Sequence, residues 1–200
     1  MGKVLIVLLL LSSSLVFGQS FEILPGNKRV FIDAQFLKYF DNSRSFSLFS
    51  RSRATSEYDG SSTDLFTGAY LNYTTNSGLG ATVLGRISSS SSGIDAGTHY
   101  FKANKSFMLF ALASVNLNDD LLYSWFSILR FYPEIKNDWK FYFSLELFSA
   151  FGQIGHLSSV QRVRIGLDRA GFQFGPAVNL RKPRSTDLDS NIGIFLSKRF

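Results

Sequence analysis

The 200-residue chain contains no cysteine. That excludes a disulfide framework and removes the acylation site of a lipoprotein-type anchor. Beyond Gly18 it also lacks any uninterrupted apolar stretch approaching the roughly 20 residues a membrane helix needs, which excludes helical spans from that part of the chain. Histidine is nearly absent, with only His99 and His156. Nothing in the sequence has metal-ligand spacing, and no metal or cofactor is expected. Neither a P-loop nor a dinucleotide fingerprint occurs.

What the chain does have is dispersed apolar character: 45% hydrophobic and 16% aromatic residues, 21 of them Phe. Residues 1–18 carry Lys3, an apolar run over 4–11, three serines and the ending Val16-Phe17-Gly18. This pattern reads as a signal peptide cleaved after Gly18, too short to stay as a membrane span, with residues 19–200 forming one exported domain. The net charge of +6 falls to +5 once Lys3 leaves. Export argues against nucleic acid as the partner, and Arg181, Lys182 and Arg184 read as solvated groups or contacts for lipopolysaccharide phosphates.

Alternation at period two predicts strands over residues 29–39, 45–53, 65–73, 79–87, 94–102, 107–117, 121–132, 139–151, 160–168, 171–180 and 191–200, with 21–24 as a short twelfth. The spacing is that of an all-β antiparallel meander. Segments of about ten residues alternating in this way fit a transmembrane β-barrel of about 12 strands, or 10 if a weak segment fails, since bacterial barrels have even strand numbers. A soluble β-sandwich alternates similarly, so the composition of the two faces has to decide. Connections over 41–44, 75–78, 103–105 and 169–170 are short. Those over 55–64, 88–93, 152–159 and 181–190 are longer and polar, which places the first set in the periplasm and the second outside.

Residues 139–151 show the faces best. Trp139, Phe141, Phe143, Leu145, Leu147 and Phe151 share one side, while Lys140, Tyr142, Ser144 and Glu146 share the other. Extending the alternation puts Asp33, Arg51, Arg53, Arg86, Asp95, His99, Arg130, Lys140, Glu146, Arg162, Arg164, Asp168 and Arg199 on the polar, inward side. Eight basic groups then face four acidic ones, and Arg164 falls at the depth of Glu146 as a cross-strand partner. Such a set is either a salt-bridged plug or, through its surplus of arginine, a field that favours anions. His99 reads as a hydrogen-bonded member of this network. Met108, Phe110 and Leu112 make one stretch of the interior apolar, as a packed half-core or as a pocket for an apolar solute or acyl chain. Lys38, Lys102 and Lys198 are the charges left on the apolar face, all at the short-turn end, where long stems reach headgroups. Tyr39, Tyr73, Phe131, Tyr132 and Trp139 fall at that end as an aromatic girdle.

The last ten residues, N-I-G-I-F-L-S-K-R-F, alternate Ile192, Ile194 and Leu196 with polar positions and end on Phe200. This resembles the C-terminal insertion signal of bacterial outer-membrane β-barrel proteins, although Lys198 replaces the usual apolar residue. The resemblance implies an integral outer-membrane barrel, recognition by the barrel-assembly machinery, a last strand paired with the first, and a setting of outer-membrane lipid and lipopolysaccharide. The expected role is structural or passive passage of small, anionic solutes. A second resemblance is narrower: His156-Leu157-Ser158 is similar to the His-x-Ser motif of outer-membrane lipid A deacylases, which would make His156 a base and Ser158 a nucleophile in a lipid-modifying enzyme. A receptor or adhesion scaffold that uses its loops is a third expectation.

Overall fold

In the computed structural model, which describes residues 19–118, 122–184 and 186–200, the alternating segments become thirteen strands joined in chain order. They are β1 (Ser20–Pro25), β2 (Arg29–Tyr39), β3 (Phe46–Glu57), β4 (Thr63–Thr74), β5 (Leu79–Ser88), β6 (Ser92–Ala103), β7 (Phe107–Asn116), β8 (Tyr123–Phe131), β9 (Glu134–Lys136), β10 (Trp139–Gly152), β11 (Gly155–Arg169), β12 (Phe172–Pro183) and β13 (Asp189–Arg199). Each barrel strand pairs antiparallel with its neighbour in sequence, and β1 pairs with β13, so the sheet closes on itself. The short β9 pairs only with the start of β10 and leaves the β8–β10 contact intact, giving a closed barrel of twelve strands. The expected meander of twelve is what forms, with residues 20–25 as the short extra strand. Closure removes the free edges that an open sheet of this length would expose. The expected signal peptide over residues 1–18 lies outside the described residues.

One side of every strand points outward. Leu71, Val83, Ile94, Ile165 and Ile194 are each about half exposed or more, and they alternate with buried neighbours. In water such a continuous apolar belt would be a large uncovered patch; acyl chains cover it in a bilayer. Lys198 follows the snorkelling pattern at the belt's edge, with its ammonium 3.7 Å from the centre of the Phe172 ring and 3.0 Å from the Ala170 carbonyl. Of the expected girdle, Tyr73, Phe131 and Trp139 are on the outside, where Tyr73 packs on Phe46 and Trp139 on Phe174. Tyr39 and Tyr132 instead line the interior, because both continue the inward parity of their strands.

The expected difference in connection length is largely absent. The segments read as loops over 55–64, 88–93 and 152–159 shrink to 58–62, 89–91 and 153–154 because the flanking strands run on through polar residues. There Ser and Thr side chains pair across the ladder, as Ser52 does with Thr67 and Ser56 with Thr63, so the ladder continues where apolar alternation has stopped. The two ends of the barrel are therefore best told apart by the chain itself. At the terminal end the Phe200 amide donates to the Gln19 carbonyl; the distal end carries the connections from 26–28 to 184–188.

Turn chemistry fixes the terminal end. Ala170 and Gly171, the two residues between β11 and β12, both have positive φ, as a type I′ hairpin requires. At the β2–β3 turn, the Ser43 hydroxyl and the amides of Phe46 and Ser45 donate to Asp41, at 2.7 and 3.0 Å for the amides. These bonds hold the Asp41 carboxyl below its ordinary value.

The closing seam is built differently from the rest of the wall. β10 and β11 are paired along almost their whole length, whereas β1 and β13 pair only from Ser20–Arg199 to Ile23–Leu196 before reaching Pro25, which has no N–H to give. Past that point the backbone keeps one bond across the seam, from the Asn27 amide to the Ile192 carbonyl at 2.8 Å, and side-chain amides supply the rest. Asn191 Oδ1 accepts from the amides of Lys28 and Arg29 at 3.1 Å each, its Nδ2 donates to the Arg29 carbonyl, and Asn27 Oδ1 accepts from the Ile192 amide at 2.9 Å. Gly193 is required here, since a Cβ on it would sit 2.2 Å from the Pro25 carbonyl oxygen.

Candidate functional site

The interior is packed through its middle and hollow at both ends. The middle layer has a charged part and two apolar parts. Glu146 on β10 accepts from Arg51 Nη1 at 2.5 Å, from Arg53 Nη2 at 2.6 Å and from Arg162 Nη1. Asp33 on β2 takes Arg51 in a bidentate grip, with Nε at 2.8 Å and Nη2 at 2.5 Å. Five charged side chains from four strands thus converge, three arginines on two carboxylates. Asp33, Arg51 and Glu146 are each 5% exposed or less.

Beside this cluster, Leu24, Phe31, Tyr142, Ala177 and Phe195 form one apolar group. Phe195, which breaks the apolar alternation of the last strand, is its fully buried centre. Across the barrel Tyr70, Leu84, Leu112, Phe126 and Ile128 form another, with Met108, Phe110, Phe49 and Phe148 packed against it. The stretch of β7 that is apolar on its inward side is therefore a packed half-core.

The remaining inward charges occupy separate pairs. Arg86 donates to Asp95 at 2.8 Å, Arg199 to Asp168 at 2.5 Å, and Arg130 to the side-chain Oε1 of Gln35 at 3.0 Å. Lys140 faces Glu134 on β9 at 3.4 Å, in an exposed pair. Arg164 does not meet Glu146. Its partner is Glu22 on β1, at 2.9 Å, and the residue opposite Glu146 is Arg162. The two-residue turn at 153–154 and the shift between Ala150 and Phe151 move the β10–β11 register away from the one that a longer loop implies. Glu22 is an inward charge the sequence reading missed, although its alternation with the outward Phe21 and Ile23 would have found it. It lowers the basic surplus of the inward set from four to three.

His99 is held from both sides. Its Nε2 lies 2.9 Å from Thr74 Oγ1 and its Nδ1 2.8 Å from Thr82 Oγ1. Thr82 gives its one proton to Asn72 Oδ1 at 2.7 Å, so His99 Nδ1 must be the donor to Thr82. His156 and Ser158 are not brought together. Both lie on β11 rather than in a loop, and the register shift turns His156 outward against the Phe151 ring while Ser158 lines the interior. Ile192, Ile194 and Leu196 face outward on β13, and Phe200, one residue past its end, is exposed at the rim of the terminal cavity.

Two cavities flank the middle layer and share no lining residue. The distal one, about 680 Å³, has Arg53, Arg162 and Asn179 on one wall and Tyr70, Leu112 and Phe126 on the other. The terminal one, about 1050 Å³, is lined by Arg44, Arg130, Arg199 and His99, and by no acidic side chain among the described residues. Neither Asp33 nor Arg51 nor Glu146 lines either cavity, so the ion cluster lies in the partition between them.

No family model matches the chain, and no curated protein matches it in sequence. Solved structures do match in shape. The KdgM porin, in a structure described as a complex with disordered oligogalacturonate, aligns with TM-score 0.54 at 11% identity over 92% of this chain and 99% of that one. The KdgM porin by itself gives 0.53 at 11% identity with the same coverage, and the NanC porin gives 0.52 at 10% identity over 92% and 98%. Likeness at this level of identity speaks for the fold alone: the chain is a closed twelve-stranded antiparallel β-barrel with an apolar exterior, the shape these porins share.

Proposed function

We propose that the barrel is a passive, porin-like conduit for small anionic solutes, exported with cleavage of residues 1–18 and folded through recognition of its last strand by the barrel-assembly machinery. The observation that carries the reading is the terminal cavity, whose lining holds Arg44, Lys102 and Arg130 beside the Asp168-paired Arg199, and no acidic side chain among the described residues. Low-dielectric walls focus that field on the lumen and raise the local concentration of anions over cations. The structural neighbour described with oligogalacturonate, an acidic saccharide, supports the same solute class. Between the cavities the Arg51–Glu146 pairing acts as the constriction, so passage needs a rearrangement of these side chains and is expected as brief openings.

Reversal potential in planar bilayers under a potassium chloride gradient tests this. Chloride preference is expected, with Arg130→Glu moving the potential toward that of potassium. A silent barrel, or one that prefers cations, would overturn the proposal.

A further inference from the structure

The distal cavity has an asymmetry that passage of ions does not call for. Its most basic wall comes from β3, β11 and β12, and its opposite wall, from β4 to β8, holds the apolar patch of Tyr70, Leu84, Leu112 and Phe126 together with the Arg86–Asp95 pair and the polar side chains Ser114, Asn116 and Ser124. On the charged wall Arg162 and Asn179 are direct cross-strand partners, and both line the cavity. Each keeps a buried polar atom with no partner: the Nε–H of Arg162, a donor, and the Oδ1 of Asn179, an acceptor. Leaving such groups unpaired costs about 1–3 kcal/mol each; Arg53 on the same wall also keeps an unpaired Nε–H, but Asn179 Oδ1 is the one unpaired acceptor among the buried side-chain atoms of the described residues. The Arg162 guanidinium is fixed in place by stacking at 5.2 Å over Phe31 and by its bond to Glu146.

Charge points the same way. Three arginines share two carboxylates in the ion cluster, and two of those arginines, Arg53 and Arg162, line this cavity. The other basic groups that line this cavity are already matched: Arg86 with Asp95, Arg181 with Asp64, and Arg29 with Glu57 and Asp189. The charged wall therefore has room for one more negative charge, while on the facing wall Arg86 is already matched by Asp95 and the patch of Tyr70, Leu84, Leu112 and Phe126 carries no cation for a second one. A cavity of about 680 Å³ falls within the range of small-molecule sites.

We infer that the distal cavity is a binding site for a small amphiphilic carboxylate. Its single anionic head is taken by Arg162 beside Arg53, a hydroxyl next to the carboxylate donates to Asn179 Oδ1, and its apolar body lies on the Tyr70–Leu112–Phe126 wall. The partition of buried side chains beneath makes this a place where the ligand stops. The inference goes beyond passage through the barrel and does not depend on it, because binding is read without any solute crossing.

Calorimetric titration of the refolded protein in amphipol with 3-phenylpropionate tests it. Saturable one-to-one binding is expected, at least tenfold weaker for the neutral 3-phenyl-1-propanol and tighter for 3-phenyllactate, which adds the hydroxyl. Arg162→Gln should weaken the acid at least tenfold and leave the alcohol unchanged. Asn179→Ala should abolish the advantage of 3-phenyllactate alone, and Lys136→Gln, exposed at the other end, should change nothing. Heat-modifiable gel mobility identifies variants that have folded, and Asn179→Ala carries the test if Arg162→Gln has not. Absence of binding, equal affinity for acid and alcohol, retention of the 3-phenyllactate advantage in Asn179→Ala, or tighter binding of trigalacturonate than of 3-phenylpropionate would each overturn the inference.

Discussion

Where β2, β3, β10 and β11 face inward, the barrel is filled by Asp33, Arg51, Arg53, Glu146 and Arg162; where β4 to β8 face inward, it is filled by Tyr70, Leu84, Leu112, Phe126 and Ile128. Both fillings exclude water from the middle of the lumen, but they do so under different rules. The apolar half gains from area removed from water, which is non-directional and tolerates a change of neighbour. The charged half loses desolvation energy for every ion and recovers it only if each lone pair and N–H meets its own partner. One half is therefore robust in its details, and the other is sensitive to single atoms and able to carry selectivity.

The largest test of that contrast is Glu146→Ala. It leaves Arg51, Arg53 and Arg162 without their shared acceptor inside a closed lumen. Breaking a buried ion pair by removing one partner costs about 3–5 kcal/mol, and here one residue serves three arginines. Urea unfolding in lipid vesicles should show a loss of that size, and bilayers holding the folded fraction should show longer anion-selective openings. Stability unchanged within about 1 kcal/mol would mean that water already solvates the cluster.

In the apolar half, Leu112→Ala is expected to cost about 3 kcal/mol, the transfer energy of the side chain plus the cavity left among Phe126, Tyr70 and Leu84. The same vesicle assay checks the magnitude. The informative part is the second readout: reversal potential should stay where it was, since no charge moves. A shift in selectivity would show that the two halves are coupled and would erase the distinction drawn between them.

The same contrast governs what could be read from the sequence. Number and order of strands follow from period two and the spacing of turns, and so does the apolar lining of β7, because Met108, Phe110 and Leu112 need only parity to be placed. Charge partnerships need register as well. Polar residues at 152–159 look like a loop, yet a two-residue turn suffices there, and that change exchanges Arg164 for Arg162 opposite Glu146. The seam was hidden for a related reason. Pro25 and Asn27 read as turn residues and Asn191 as the start of the last strand, and only the closed barrel reveals that the side-chain amides of Asn27 and Asn191 continue the ladder where proline stops it. His156 and Ser158, two apart on a strand, share a face by parity, and the register shift at Ala150–Phe151 separates them.

Glu22→Gln has the smallest expected effect on stability and the sharpest on selectivity. Glu22 Oε1 receives both Nε and Nη2 of Arg164, at 3.0 and 2.9 Å, and the guanidinium is also held by the carbonyls of Val163 and Val178 through Nη1 and by the Phe31 ring at 5.7 Å. A glutamine keeps one carbonyl oxygen for those N–H groups, so Arg164 retains its place and the cost should stay near 1 kcal/mol, the scale of a hydrogen bond that loses its charge assistance. The charge balance, however, moves by one unit at the seam, on the side of the barrel that already holds the arginine surplus. Anion preference measured by reversal potential should rise, with vesicle stability almost unchanged. If instead stability falls by several kcal/mol and selectivity stays put, Glu22 is a structural counter-ion for Arg164, and the basic surplus that matters lies elsewhere, at Arg130 and the terminal cavity.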